Sequence, residues 1–457
     1  MSTTLPRVNA IGLEHALSFL DEIFPEPRAF SIDLWGQAFL PATSGERFKL
    51  ILNYPGALKK MFSMPLELNL GEAHIHGGFD VQGDFYAIFD LLDEMSGRFS
   101  KTGQVLQLLA KYRHLPFEQG NELEGRGPIH LSGDVHSKER DAQAVRYHYN
   151  VGNDFYSIWL DRNMQYSCGY FPTGKEDLDT AQELKMEHIC RKLRLQPGDR
   201  LLDIGCGWGY LVMYAAEKFG VQAVGVTLSE RQAEWGRQKI LERGLSDRVR
   251  IETQDYRDLK SASFNKVSSV GMFEHVGRNH LPEYFTHVHR LLEPGGLLLN
   301  HGISQRYARP VLKGDEQLRK NALPEARESF VKRYLEQRVM GLGKFSQSYI
   351  FPDGELVTVS DANLIAEAAG FELRDVENLR EHYALTIRNW VKNLEANKPA
   401  ILGVTDEVTY RTWVLYLSSS VHGFESGSIS VNQSLLSKPI HGKTLLPYSR
   451  ADLYQEP

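Results

Sequence analysis

The stretch R-L-L-D-I-G-C-G-W-G at 200–209 carries the clearest chemistry in the chain. Arg200 to Ile204 reads as a short buried strand with a carboxylate at Asp203. Gly205, Gly207 and Gly209 form a tight turn into an apolar helix, Tyr210 to Phe219. Glycine tolerates positive φ and lets a ligand lie almost against the backbone. The N–H groups at the start of the helix are expected to face that ligand. Spacing narrows the choice. A dinucleotide turn places its third glycine three residues after the second; here the interval is two, and Asp203 stands two before the first.

The elements around this turn must position it. Strands are expected at Gln222–Thr227, Val249–Thr253, Phe264–Val270 and Gly296–Gly302, with helices at Ser229–Arg243 and Leu281–Leu292 between them. Strands alternating with helices imply a doubly wound α/β sheet, with parallel strands. Ligands then sit beyond the carboxyl ends of the strands, which places Thr227, Asp255, Glu274 and His301 on one rim. Later elements are a strand at Phe371–Leu379, a buried helix at Tyr410–Tyr416 and a last strand at Ser428–Leu436. Ahead of the turn, residues 147–171 are dense in aromatics, including Tyr149, Phe155, Tyr166, Tyr170 and Phe171.

The first 113 residues read as a separate, smaller α+β domain. Phe48–Asn53 and Leu66–Leu70 have the look of strands, and Ala57–Phe62 and Phe85–Leu92 that of helices. His74 and His76 are either ligands or strand residues at a turn. Residues 114–143 are polar and glycine-rich, as in a linker or surface loop, and 144–457 form the second domain.

Composition bounds the rest. The 457 residues are 42% hydrophobic and 24% charged, ordinary globular values with room for a large core. No apolar run reaches the ~18 residues of a membrane span, and MSTTLPRVNA lacks a signal-peptide pattern. Cys168, Cys190 and Cys206 form no C-x-x-C pair, which argues against disulfides and structural zinc and for a reducing cytoplasm. A net charge of −6 argues against general nucleic-acid binding. Within this acidic chain, Arg306 to Lys344 holds ten Lys/Arg against five Asp/Glu. Apolar residues interleave there at helical spacing. Residues 305–345 therefore read either as a solvated helix or as a basic amphipathic insertion that meets anionic lipid.

The pattern D-x-G-x-G-x-G resembles the first motif of enzymes that use S-adenosylmethionine. Five further motifs accompany it: Q-Y-S-C at Gln165–Cys168, G-V-T-L-S at Gly225–Ser229, Q-D-Y-R-D at Gln254–Asp258, G-M-F-E-H-V-G at Gly271–Gly277 and H-Y-A-L-T at His382–Thr386. Together they resemble the cyclopropane-fatty-acyl-phospholipid synthases and the related mycolic acid enzymes, from about residue 145 to the end. The N-terminal region is similar to the extra domain of the phospholipid-acting members.

The resemblance implies a Rossmann-like methyltransferase sheet and a reaction. An alkene in an unsaturated acyl chain attacks the methyl of S-adenosylmethionine, a carbocation forms, and loss of a proton from the new methyl closes a cyclopropane ring. The base implied is bicarbonate, cradled by Cys168, Glu274, His301, the Ile303 backbone and Tyr383. Such a cradle makes sense chemically: His301, the Tyr383 hydroxyl and a backbone N–H are donors for an oxyanion, and Glu274 accepts its O–H. For S-adenosylmethionine the resemblance implies Asp203, Gly205, Cys206, Gly207 and Gly209 beneath it. It further implies Thr227, Leu228 and Gln232 at the ribose, Tyr256 and Arg257 at the adenine, and Tyr166 and Ser167 at the methionine end. The aromatic belt is suited to facing a carbocation. The 305–345 insertion exceeds the family's expected turn. Three outcomes stay open: cyclopropanation of phospholipid chains at a peripheral membrane contact, loss of a different proton to give a methylene or methyl branch, and a lipid-binding protein without catalysis. Dimerisation through the N-terminal domain is implied by resemblance alone.

Overall fold

The computed structural model describes residues 9–98, 102–118, 120–149, 151–260, 264–305 and 343–454. The basic stretch 306–342 therefore lies outside the described residues. Two compact units form: one from the described residues of Met1–Pro128, Arg309–Ile350 and Thr405–His422, the other from those of Ile129–Ala308, Phe351–Val404 and Gly423–Pro457.

The first unit is built on a four-stranded mixed sheet. Its strands are β1 (Phe30–Leu34), β2 (Ala38–Leu40), β3 (Phe48–Leu52) and β4 (Phe79–Gly83), in the order β2-β1-β3-β4. The core gathers Phe19, Leu20, Ile32, Leu50, Leu52 and Phe79. Residues 66–70 are not a strand: a helix runs from Leu66 to Ile75. The alternation L-E-L-N-L is too short to separate the two periods. Leu66, Leu70 and Ala73, at i, i+4 and i+7, pack inward as one helical face. His74 is on that helix, buried and held down to about 4 by desolvation, and the His76 ring meets the Leu123 carbonyl at 2.9 Å. The polar stretch also ends earlier than expected, because a helix starts at Lys138 and runs to Tyr149.

The second unit carries a seven-stranded sheet of β5 (Arg200–Ile204), β6 (Gln222–Thr227), β7 (Val249–Thr253), β8 (Phe264–Val270), β9 (Leu292–Gln305), β10 (Glu372–Asn378) and β11 (Ile429–Ser437). The order is β10-β11-β9-β8-β5-β6-β7. β5 to β9 pair in parallel, whereas β11 runs antiparallel between β9 and β10, so the sheet is not wholly parallel. From β5 the chain winds outward through β6 and β7, then returns to lay β8 on the other side of β5. That reversal opens a crevice at the carboxyl ends of β5 and β8. The glycine turn leaves β5 there. Leu202, Val267, Phe285, Val288, Leu298 and Leu436 share the core beneath it. Among the described residues no helix is long and apolar enough to cross a membrane.

Candidate active site

A cavity opens at this crevice. Asp203, Gly205, Cys206 and Gly207 line it from the end of β5, Thr227, Leu228 and Gln232 from the end of β6, and Tyr256 and Arg257 from the turn after β7. Tyr166 and Ser167 line it from the loop ahead of the helix Leu178–Lys192. Of the residues expected at the cofactor, Gly209 alone does not line the cavity. A Cβ on Gly209 would lie 2.2 Å from Ile251 Cδ1, so this glycine lets the helix Tyr210–Phe219 pack on the sheet. Gly207 is the opposite case. Its φ is +55°, and a Cβ there meets nothing within 4 Å, which leaves that backbone open to a ligand.

Two N–H groups of the turn, ahead of the helix, are taken up by the sheet. Those of Gly205 and Cys206 both donate to the Val226 carbonyl at 3.0 Å, tying the turn to β6. Thr227 Oγ1 donates to Gln232 Oε1 at 2.9 Å. The Gln232 amide nitrogen is buried with no hydrogen-bond partner among the described residues, so it is a donor in reserve on the cavity wall. Arg257 is held by Asp255 at 2.6 Å and Asp141 at 2.9 Å. Its charge is therefore matched within the protein, and it braces the cavity wall as a fixed part of an ion-pair cluster. Asp203 accepts from Ser268 Oγ at 2.7 Å, and burial raises its carboxyl to about 6.

The aromatic belt divides. Tyr149 and Tyr166 line the cavity. Tyr166 packs in a nest with Trp159 and Trp390, at centroid distances of 5.6 and 5.2 Å. Phe155 is fully buried against Tyr156 and Trp159, as core. Tyr170 is stacked between His188 and His382, and Phe171 lies beside His382.

Cys168, Glu274, His301, Ile303 and Tyr383 do not line the cavity; Cys168 and Glu274 each adjoin a residue that does, and His301 pairs across the sheet with Val270, which does. Cys168 follows Ser167, and Glu274 falls between Met272 and His275, which both line it. His301 is not at a strand end, since β9 continues to Gln305. There Gln433 of β11 donates to its Nδ1 at 3.1 Å. Its Nε2 then carries the proton and has no partner among the described residues. Burial holds this ring down to about 3, so it stays neutral. The Ile303 N–H, expected to face an anion, is occupied: it donates to Glu274 Oε1 at 2.6 Å. β8 ends its pairing at Val270 opposite His301, so the N–H beyond has no ladder partner and the carboxylate takes it. Glu274 Oε2 is buried without a partner among the described residues, and desolvation raises this carboxyl to about 7. The Cys168 thiol contacts the Gly169 and Leu379 carbonyls, and burial pushes it far up, so it is a thiol and not a thiolate nucleophile. The Tyr383 ring packs on Phe424 at 4.7 Å.

Several residues lining the cavity are absent from the expected set, among them a buried cation. Lys185 lines it from the helix Leu178–Lys192. The available signal was a lysine in the stripe Leu178, Ala181, Gln182, Lys185, Met186 and Ile189, where helical spacing demands apolar residues.

The comparisons agree with this geometry. A family profile described as mycolic acid cyclopropane synthetase matches residues 136–434. The chain is 37% identical over 390 residues to a Pseudomonas putida protein named "Probable fatty acid methyltransferase", across 84% of this chain and 86% of that one. It is 34% identical over 373 residues to the Escherichia coli cyclopropane-fatty-acyl-phospholipid synthase, across 82% and 84%. Mycolic acid cyclopropane synthase CmaA1, solved with SAH and CTAB, superposes with a TM-score of 0.57 at 32% identity, over 65% of this chain and 98% of that chain. The chain belongs to the mycolic acid cyclopropane synthetase family, and it is a methyltransferase that uses S-adenosylmethionine.

Proposed function

We propose that the chain adds a methylene carbon across the cis double bond of an unsaturated acyl chain on a phospholipid, closing a cyclopropane ring, with bicarbonate as the base. The observation that carries this reading is the pair of buried polar atoms, Glu274 Oε2 and His301 Nε2, that have no partner among the described residues. Buried polar groups are nearly always satisfied, and here one acceptor and one donor are left over. A bicarbonate, with one O–H to give and oxygens to receive, suits that pair.

When bound, S-adenosylmethionine supplies a methyl group on a positively charged sulfur and bicarbonate supplies a base. Gly207 lets the cofactor approach the backbone, and Gln232 has an amide donor for a ribose hydroxyl. Tyr149 and Tyr166 offer ring faces to a developing cation without capturing it. The ionised Glu274 would hold bicarbonate by accepting its O–H, and the neutral His301 by donating to one of its oxygens. The Ile303 N–H holds Glu274 in place, acting on the anion through that carboxylate.

Stripping bicarbonate from the buffer tests this directly. Turnover should fall and return when bicarbonate is added back, with S-adenosylmethionine affinity constant. A rate indifferent to bicarbonate at every concentration would make a protein side chain the base. A second reading, compatible with the Pseudomonas relative's name as a fatty acid methyltransferase, has the same cation lose a different proton and leave a methylene or methyl branch.

A further inference from the structure

Lys185 is 1% exposed. A lysine is seldom buried so completely without a partner, and its partners here belong to one loop. Its ammonium donates to Gln165 Oε1 at 2.6 Å and Ser167 Oγ at 2.8 Å. One turn earlier on the same helix, the Gln182 amide donates to the Gln165 and Ser167 carbonyls at 3.3 and 2.8 Å. Gln182 and Lys185 of the helix Leu178–Lys192 thus grip the segment that carries Tyr166 and Ser167 into the cavity.

The bond to Ser167 has a chemical consequence. An ammonium has donors only, so it takes a lone pair of the serine oxygen and leaves the hydroxyl proton to be given elsewhere. Ser167 lines the cavity together with Lys185 and Asp203. Among the described residues no group accepts that proton, so it is available to a ligand in the cavity, and a buried cation directly behind the hydroxyl favours an anionic one. Asp203 and Lys185 interact through space within the same wall. A buried positive and a buried negative group together complement a zwitterion, whose own charges offset the desolvation that both have undergone.

We propose that Lys185 is a positioning residue for the amino-acid end of the cofactor: through the Ser167 hydroxyl it makes the cavity select adenosyl thioethers that carry a carboxylate. The inference rests on the S-adenosylmethionine reading of this cavity. Calorimetric titration with two ligands tests it. S-adenosylhomocysteine has the amino-acid end, whereas methylthioadenosine has the same adenosine and thioether without it. Lys185→Met should weaken S-adenosylhomocysteine about tenfold, the scale of one charge-assisted hydrogen bond, and leave methylthioadenosine within about twofold of wild type. Equal losses for both ligands, or no loss for either, overturn the proposal. Should Lys185→Met fail to fold, Ser167→Ala removes the same hydroxyl and must show the same ligand dependence; its absence overturns the proposal equally. A wild-type protein that binds neither ligand would instead overturn the cofactor reading itself, and this inference with it.

Discussion

Glu274→Gln should lower turnover by about 10²–10⁴-fold, the scale of a positioned acid–base group, with S-adenosylmethionine affinity nearly unchanged. The substitution keeps shape and lets one oxygen go on accepting the Ile303 N–H. It replaces the unpartnered Oε2 with an N–H₂ donor, which turns the one acceptor facing the proposed anion into its opposite. The same group sets a pH dependence. Burial raises its carboxyl to about 7, and it accepts a proton only when ionised. Turnover should therefore rise as the pH passes upward through about 7, and that limb should vanish in the variant. Rates measured across pH on both proteins check this; an unchanged limb in Glu274→Gln assigns it to another group.

Gly207→Val should weaken S-adenosylmethionine binding by about ten- to a hundredfold or more, since forcing extra atoms into a packed contact costs ~1–3 kcal/mol. The unliganded fold should survive. A Cβ at Gly207 meets no neighbour within 4 Å, so the clash arises only when a ligand lies on the backbone, and the left-handed φ adds ~1–2 kcal/mol. Gly209→Val should behave in the reverse sense, losing stability first, because its Cβ runs into Ile251. Calorimetry and thermal unfolding on the two variants separate these effects. Unchanged affinity in Gly207→Val would remove the ligand from the glycine turn.

Much of this site was legible because its signals are local. β5, β6, β7 and β8 have the bounds that apolar runs and glycine punctuation indicate, and the residues at their carboxyl ends follow from the winding rule. What escaped depends on contacts distant in sequence. Nothing local in Ile429–Ser437 reveals that it runs antiparallel between β9 and β10. The helix Leu178–Lys192 was missed because Gln182 and Lys185 interrupt its apolar stripe, and they do so to reach a loop 15 to 20 residues earlier. The engagement of the Ile303 N–H by Glu274 depends on where β8 stops pairing, a fact of register. Leu66–Leu70 misled for a simpler reason: five residues fit both periods.

The central claim, ring formation on an unsaturated acyl chain, is tested most directly by the product. Purified protein, S-adenosylmethionine and vesicles of a cis-monounsaturated phospholipid are incubated, and the lipid is examined by mass spectrometry and proton NMR. The account predicts a gain of one CH₂ per acyl chain, loss of the olefinic protons and appearance of cyclopropane ring protons. A gain of one CH₂ with olefinic protons still present would contradict ring closure and establish a methylene- or methyl-branched product, and no gain in mass would contradict methyl transfer to this lipid.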